Sequence, residues 1–238
     1  KDLAAAKTLL EEVLAVNKAD LGALALRGEI ALYEKRFNDA IADFRTVTKE
    51  RADDTRTALL LASAHIGNNE PDLAAELLHK VVAQNPKQRK ARMMLADLLA
   101  KKGDHDGAIK QYRDALVQKP DDVQAMIAIA RQYQDTGKFT QLADIADQML
   151  SQKDGMATGF YYQGWLKLSE KKHEQARELF DKALMFAPGA IEPATAKVQS
   201  YLAQQQWKDA VKWIDSRLEK QAQNATLYNL KAEAYLGG

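Results

Sequence analysis

Small and large apolar positions recur along this chain with a period of 34 residues. Small residues stand at Ala6, Ala40, Ala74, Ala108, Ala176 and Ala210, and each is followed four residues later by a bulkier one: Leu10, Phe44, Leu78, Tyr112, Phe180 and Ile214. A second small column runs through Gly28, Ala62, Ala96, Ala130, Gly164, Val198 and Ala232. Pro86, Pro120 and Pro188 fall in the same phase, and no insertion or deletion interrupts it. Apolar residues three and four apart belong to a helix face, and alternating runs of β-branched and aromatic residues are absent. Ala, Leu, Lys, Glu and Gln, all good helix formers, dominate throughout. The pattern predicts two helices of about 12–14 residues per period, A then B. Neither can bury its apolar face alone, so the pairs must stack.

The columns have physical meaning. A Gly or Ala in helix A lets helix B approach closely, and the larger residue on helix B fills the space between repeats. Proline after helix B ends it, because proline cannot continue the hydrogen-bond ladder. One period departs from the rule. It carries Leu142 where a small residue is expected and Ala146 where a large one is expected, one helical turn apart, so volume is exchanged and not lost. The same period lacks its proline and has Asp154-Gly155 and then Gly159, which marks 150–160 as the place for a flexible or bent joint. Lys197 and Lys231 stand where the pattern has leucine and Arg92 where it has a large apolar residue; these departures predict less tightly specified helices.

The segment ending at Pro120, with Leu95-Ala96, Gly103, Ala108, Tyr112, Ala115 and Pro120, resembles the tetratricopeptide repeat (pattern W-x2-L-G-x2-Y, then A-x3-F, A and P). The likeness runs over the whole chain, although the first Trp of the pattern is never present. It implies an all-α, right-handed superhelical solenoid of helix-turn-helix repeats. The array would comprise a half repeat at 1–20, full repeats at 21–54, 55–88, 89–122, 123–156, 157–190 and 191–224, and a half repeat at 225–238. Interrupted repeats at both ends read as a fragment of a longer array. In this family the A helices line a concave groove. Carried over by position, the groove residues are Leu59, Ser63, Lys90, Met93, Asp97, Ile127, Arg131, Gln134, Tyr161 and Trp165. Met94 and Tyr162 are placed on the same face, and a register displaced by one would make them core instead. Aromatic and Met side chains suit burial of a partner's apolar face.

Composition removes competing classes. Hydrophobic residues make up 46% and charged residues 28%, and the formal net charge is +1, so no basic field favours nucleic acid. No run approaches the roughly 18 apolar residues that a spanning helix needs. There is no cysteine, which removes thiolate catalysis and Cys-ligated metals. The four histidines are scattered: His65, His105 and His173 fall in packing columns and His79 on an outer helix. Asp104-His105-Asp106 sits in a turn where Asp is ordinary, and Asn224-Ala225-Thr226 is a chance glycosylation match. No catalytic residue, metal or cofactor is expected. The leading expectation is a non-catalytic scaffold that holds a protein or peptide in its groove. Two others remain open: self-association through the terminal helices, and polysaccharide handling on Tyr161 and Trp165. The second arises from a likeness to long arrays of the bacterial envelope, which favours the periplasm or cell envelope, with the cytoplasm as the alternative.

Overall fold

The computed structural model describes residues 2–237, and among these are fourteen α-helices and no strand. The chain divides into two units, Lys1–Pro120 and Asp121–Gly238. Unit 1 contains α1 (Leu3–Val16), α2 (Leu21–Tyr33), α3 (Phe37–Glu50), α4 (Thr55–Gly67), α5 (Pro71–Gln84), α6 (Arg89–Lys101) and α7 (His105–Gln118). Unit 2 contains α8 (Val123–Asp135), α9 (Phe139–Leu150), α10 (Met156–Ser169), α11 (His173–Phe186), α12 (Ile191–Leu202), α13 (Trp207–Leu218) and α14 (Ala225–Gly237). Even-numbered helices are the A helices of the sequence pattern and odd-numbered ones the B helices.

The repeat is written in the backbone as well as in the side chains. Lys35, Asn69, Gly103, Gly137, Lys171 and Gln205 all have φ between 58° and 81°, and each stands 34 residues after the last. Each follows an A helix. The next residue's N–H returns to a carbonyl five residues back, as from Arg36 to Ala31, Asp104 to Leu99 and Lys172 to Lys167, at 2.8–2.9 Å. This is a left-handed helix cap that satisfies an otherwise orphaned carbonyl and turns the chain into helix B. A second column starts the A helices: Asp20, Asp54 and Asp122 each accept the N–H three residues on. Asn224 does the same for Leu227 at 3.2 Å, so the residue of the glycosylation-like triplet is a helix cap.

Packing follows the small and large columns. The Phe44 ring lies so close to Gly28 that an added Cβ would meet it at 2.7 Å, and Phe180 lies over Gly164 in the same way at 2.6 Å. Both rings are fully buried. Where Ala62 or Ala96 replaces the glycine, the partner columns hold Leu78 and Tyr112, and all are buried. Leu142 and Ala146 are both at 0% exposure. The volume missing at Ala146 is taken up by helix approach, since a Cβ on Gly159 would meet the Ala146 carbonyl at 2.9 Å. A Cβ on Gly155, in a short 3-10 turn at Lys153–Gly155, would meet the Met149 carbonyl at 2.4 Å. These glycines serve close packing around the short turn, at the segment where a flexible or bent joint was expected. On α14, a terminal helix through which self-association was expected, Leu227 and Leu230 pack into a cluster with Val198, Ile214 and Leu218.

Lys197 and Lys231 do not loosen their helices. Lys197 is 4% exposed, and its ammonium bonds both carboxylate oxygens of Asp181 at 2.5–2.6 Å. Lys231 reaches Asp215 at 2.6 Å, and in the same register Gln163 donates to Asp147 at 2.7 Å. Each polar side chain reaches back 16 residues, from an A helix to the preceding B helix. Lys197 also lies 5.1 Å from the centre of the Trp213 ring. Burial pushes its ammonium below the usual lysine range, and the Asp181 hydrogen bond opposes this. Arg92 finds acceptors in Asp114 and Gln111, both at 2.8 Å, and in the Pro86 carbonyl.

Candidate functional site

In unit 2, three successive A helices (α8, α10 and α12) and the connection before α12 enclose an open cavity of about 230 Å³. Ile127, Arg131 and Gln134 come from α8, one turn apart on one face, as i, i+4 and i+7 spacing requires. Ala157, Thr158, Tyr161 and Tyr162 come from α10, and Glu192 and Pro193 from α12. Ala187 and Ala190 complete it. Alanine holds three lining positions, and Tyr161 and Tyr162 supply the aromatic side chains.

Tyr161 is half-buried, with its ring 5.1 Å from Tyr162 and 6.2 Å from Phe180, both tilted. Burial raises its hydroxyl above the ordinary tyrosine value and the nearby Glu192 adds to this, while a hydrogen bond with Gln134 and the Arg131 charge oppose it. Tyr162 is only 3% exposed and belongs to the core. Burial pushes its hydroxyl up to about 12, against the charge of Arg131 and a hydrogen bond from it. Both phenols therefore remain neutral across the physiological range and can donate hydrogen bonds. Arg131 and Glu192 themselves are exposed, and among the described residues neither forms an ion pair.

The remaining sequence-derived positions are distributed differently. Trp165 is half-buried on α10 one turn beyond Tyr161, 5.6 Å from Phe139, and does not line the cavity. In unit 1, Leu59 is 7% exposed and sits in the core cluster with Leu78 and Leu95, so it presents no groove surface. The carryover by position misassigned it, because this leucine side chain packs into the core. The Ser63 hydroxyl donates to the Leu59 carbonyl at 2.9 Å. Lys90 is exposed and Met93 half-buried. Asp97 is exposed and accepts the Tyr112 hydroxyl at 2.5 Å. Sequence reasoning missed Thr158, Glu192 and Pro193. The signal was available: Thr158 and Glu192 hold the second position of their repeats, one of the positions that points inward in the family.

Other candidate chemistry resolves into structure. His65 is 3% exposed, with Nδ1 2.6 Å from a Glu70 carboxylate oxygen. Among the described residues no group of three His, Cys, Asp or Glu is placed to hold a metal. Among the described residues no helix is long and apolar enough to cross a membrane.

Paired helices at a fixed period, with polar and aromatic side chains gathered on the A-helix face, define a helical-repeat scaffold. Two family models described as tetratricopeptide repeat match residues 59–123 and 167–234, together more than half of the sequence. The chain belongs to the tetratricopeptide-repeat family, and in general terms it is a protein-interaction scaffold. It is 23% identical over 184 residues to the DnaJ homolog subfamily C member 7 homolog of Schizosaccharomyces pombe, covering 71% of this chain and 39% of that protein. The chain thus spans about two fifths of that relative's length. A tetratricopeptide repeat protein from Parabacteroides merdae shares the fold with a TM-score of 0.71 at 13% identity, over 91% of this chain and 86% of that one. YrrB, described as a repeat protein with an unusual peptide-binding site, has a TM-score of 0.63 at 16% identity, over 79% of this chain and 97% of its own.

Proposed function

We propose that this protein holds an extended partner segment on its A-helix face, with Ile127, Arg131, Gln134 and Tyr161 of unit 2 as the main contacts. Trp165 lies beside them on α10, and Ser63, Lys90, Met93 and Asp97 form a separate proposed surface on the A helices of unit 1. The observation that carries the reading is the unit 2 cavity. Its helical lining comes from A helices alone, and it combines an apolar floor, an aromatic wall and neutral phenol donors with two unpaired charges. Clefts of mostly apolar lining with a few convergent polar groups are the usual form of binding sites. The peptide-binding site named for YrrB supports a peptide as the occupant.

The test begins with peptides selected by display on the intact chain. Tyr161→Ala with Trp165→Ala is compared with a control on exposed positions of α11, Gln175→Ala with Glu178→Ala. Loss of an aromatic anchor costs about 2 kcal/mol, or some thirtyfold in affinity, and the control should bind normally. If the control loses binding while the folded groove variant keeps it, the outer helices carry the function.

A further inference from the structure

The ionic walls of the unit 2 cavity constrain its occupant more than its apolar floor does. Arg131 approaches from α8 and Glu192 from α12; both are exposed and, among the described residues, neither forms an ion pair, Arg131 donating only to the neutral Tyr162 hydroxyl. A partner that covers them removes water from both. Covering an ion without pairing it costs far more than pairing it returns. A segment of one charge sign satisfies one wall and is repelled by the other, and an uncharged segment leaves both uncompensated. As for size, a cavity of about 150 Å³ already holds a benzene ring. The 230 Å³ here therefore has room for one aromatic or branched aliphatic side chain in a cavity that both charges line.

Resting on the groove reading above, we propose that the cavity selects an extended segment carrying both signs: one large apolar side chain in the cavity, an acidic side chain toward Arg131 and a basic one toward Glu192. In an extended chain every second side chain shares a face and rises about 6.6–6.8 Å. The three recognition residues therefore alternate with spacers, acid–x–apolar–x–base in one chain direction or the other. Gln134 and the neutral Tyr161 hydroxyl lie beside the apolar position and can donate to the backbone carbonyls of such a segment. Charge order gives this cavity selectivity by repulsion as well as by attraction.

Four blocked peptides test this on the full chain by fluorescence anisotropy at low salt, with cores Glu-Ser-Phe-Ser-Lys, Lys-Ser-Phe-Ser-Glu, Glu-Ser-Phe-Ser-Glu and Lys-Ser-Phe-Ser-Lys. One mixed core should bind at least about tenfold more tightly than either single-sign core. Exchanging the walls with Arg131→Glu and Glu192→Arg should move the preference to the other mixed core. Should that double variant fail to fold, Glu192→Gln alone should bring the doubly acidic core toward the mixed one. Equal affinity for all four cores, or an unchanged preference after the exchange, overturns the charge rule. The groove reading then survives if Tyr161→Ala still weakens binding, and falls with it if Tyr161→Ala changes nothing. Absence of binding by every core at millimolar concentration, or saturable binding of cellohexaose with none of the peptides, also overturns the proposal.

Discussion

Units 1 and 2 are built on one repeat but fill the same columns with different chemistry. Between successive helices of unit 1, Glu11, Arg45 and His79 on B helices precede, by 16 residues, Arg27, Leu61 and Leu95 on A helices, so only the first of these A positions is polar. Both leucines are buried and apolar, and His79 is solvated. In unit 2 the B-helix column is aspartate three times, at Asp147, Asp181 and Asp215, and the A-helix column answers with Gln163, Lys197 and Lys231. Ile129, fully buried, keeps the apolar choice at the start of unit 2. The two columns thus change together. A fold held by stacked helix pairs accepts at one A-helix position either a buried leucine or a polar side chain hydrogen-bonded to the preceding B helix. Unit 2, where the switch has occurred, also carries the aromatic cavity.

The largest test of this comparison asks whether the shared columns are equivalent. Phe44→Ala in unit 1 and Phe180→Ala in unit 2 remove fully buried rings packed on glycines, and each should cost about 3–5 kcal/mol in chemical denaturation. A gap much wider than the usual scatter between the two would mean that the units do not share a packing rule. Next comes the column that differs. Asp181→Ala strands a buried ammonium and should destabilise by about 1–3 kcal/mol, whereas the matched exposed change His79→Ala should stay within about 0.5 kcal/mol. Lys197→Leu with Asp181→Ala restores the unit 1 chemistry and should be neutral or stabilising. A loss larger than that of Asp181→Ala alone would show that the pair does more than replace an apolar contact. The smallest effect lies in the turns. Non-glycine residues in the left-handed region cost about 1–2 kcal/mol, partly recovered through the greater chain freedom of glycine when unfolded. Lys35→Gly and Lys171→Gly should each raise stability by about 0.5–1 kcal/mol, and Gly103→Ala should lower it by a similar amount, equally in both units.

Much of the fold was legible because the columns that make it are local and recur. Gly28 with Phe44, and Gly164 with Phe180, announce a close helix pair within a single period. What escaped depends on contacts between periods. The aspartate–lysine pairs join a B helix to the following A helix, so each lysine read alone looked like a defect in a leucine column. Leu59 was placed on the groove by position, although its own environment in unit 1 buries it. For the site, Ile127, Arg131, Gln134 and Tyr161 fall together in one cavity, while Trp165 turns to Phe139. Glu192 was lost because the inward positions were not followed onto α12, and that residue decides which charges the cavity accepts.

The left-handed turns also bear on how the chain acquires its structure. All six close with one bond spanning five residues, between helices adjacent in sequence. Loop-closure entropy is then small and nearly the same at each. Contacts this local favour rapid folding, and a repeat chain can nucleate anywhere along its length. Six equivalent hairpins give six comparable starting points, so no single residue controls the folding barrier. Slowing caused by substitutions would be spread thinly along the chain, with each variant acting chiefly on the rate of unfolding.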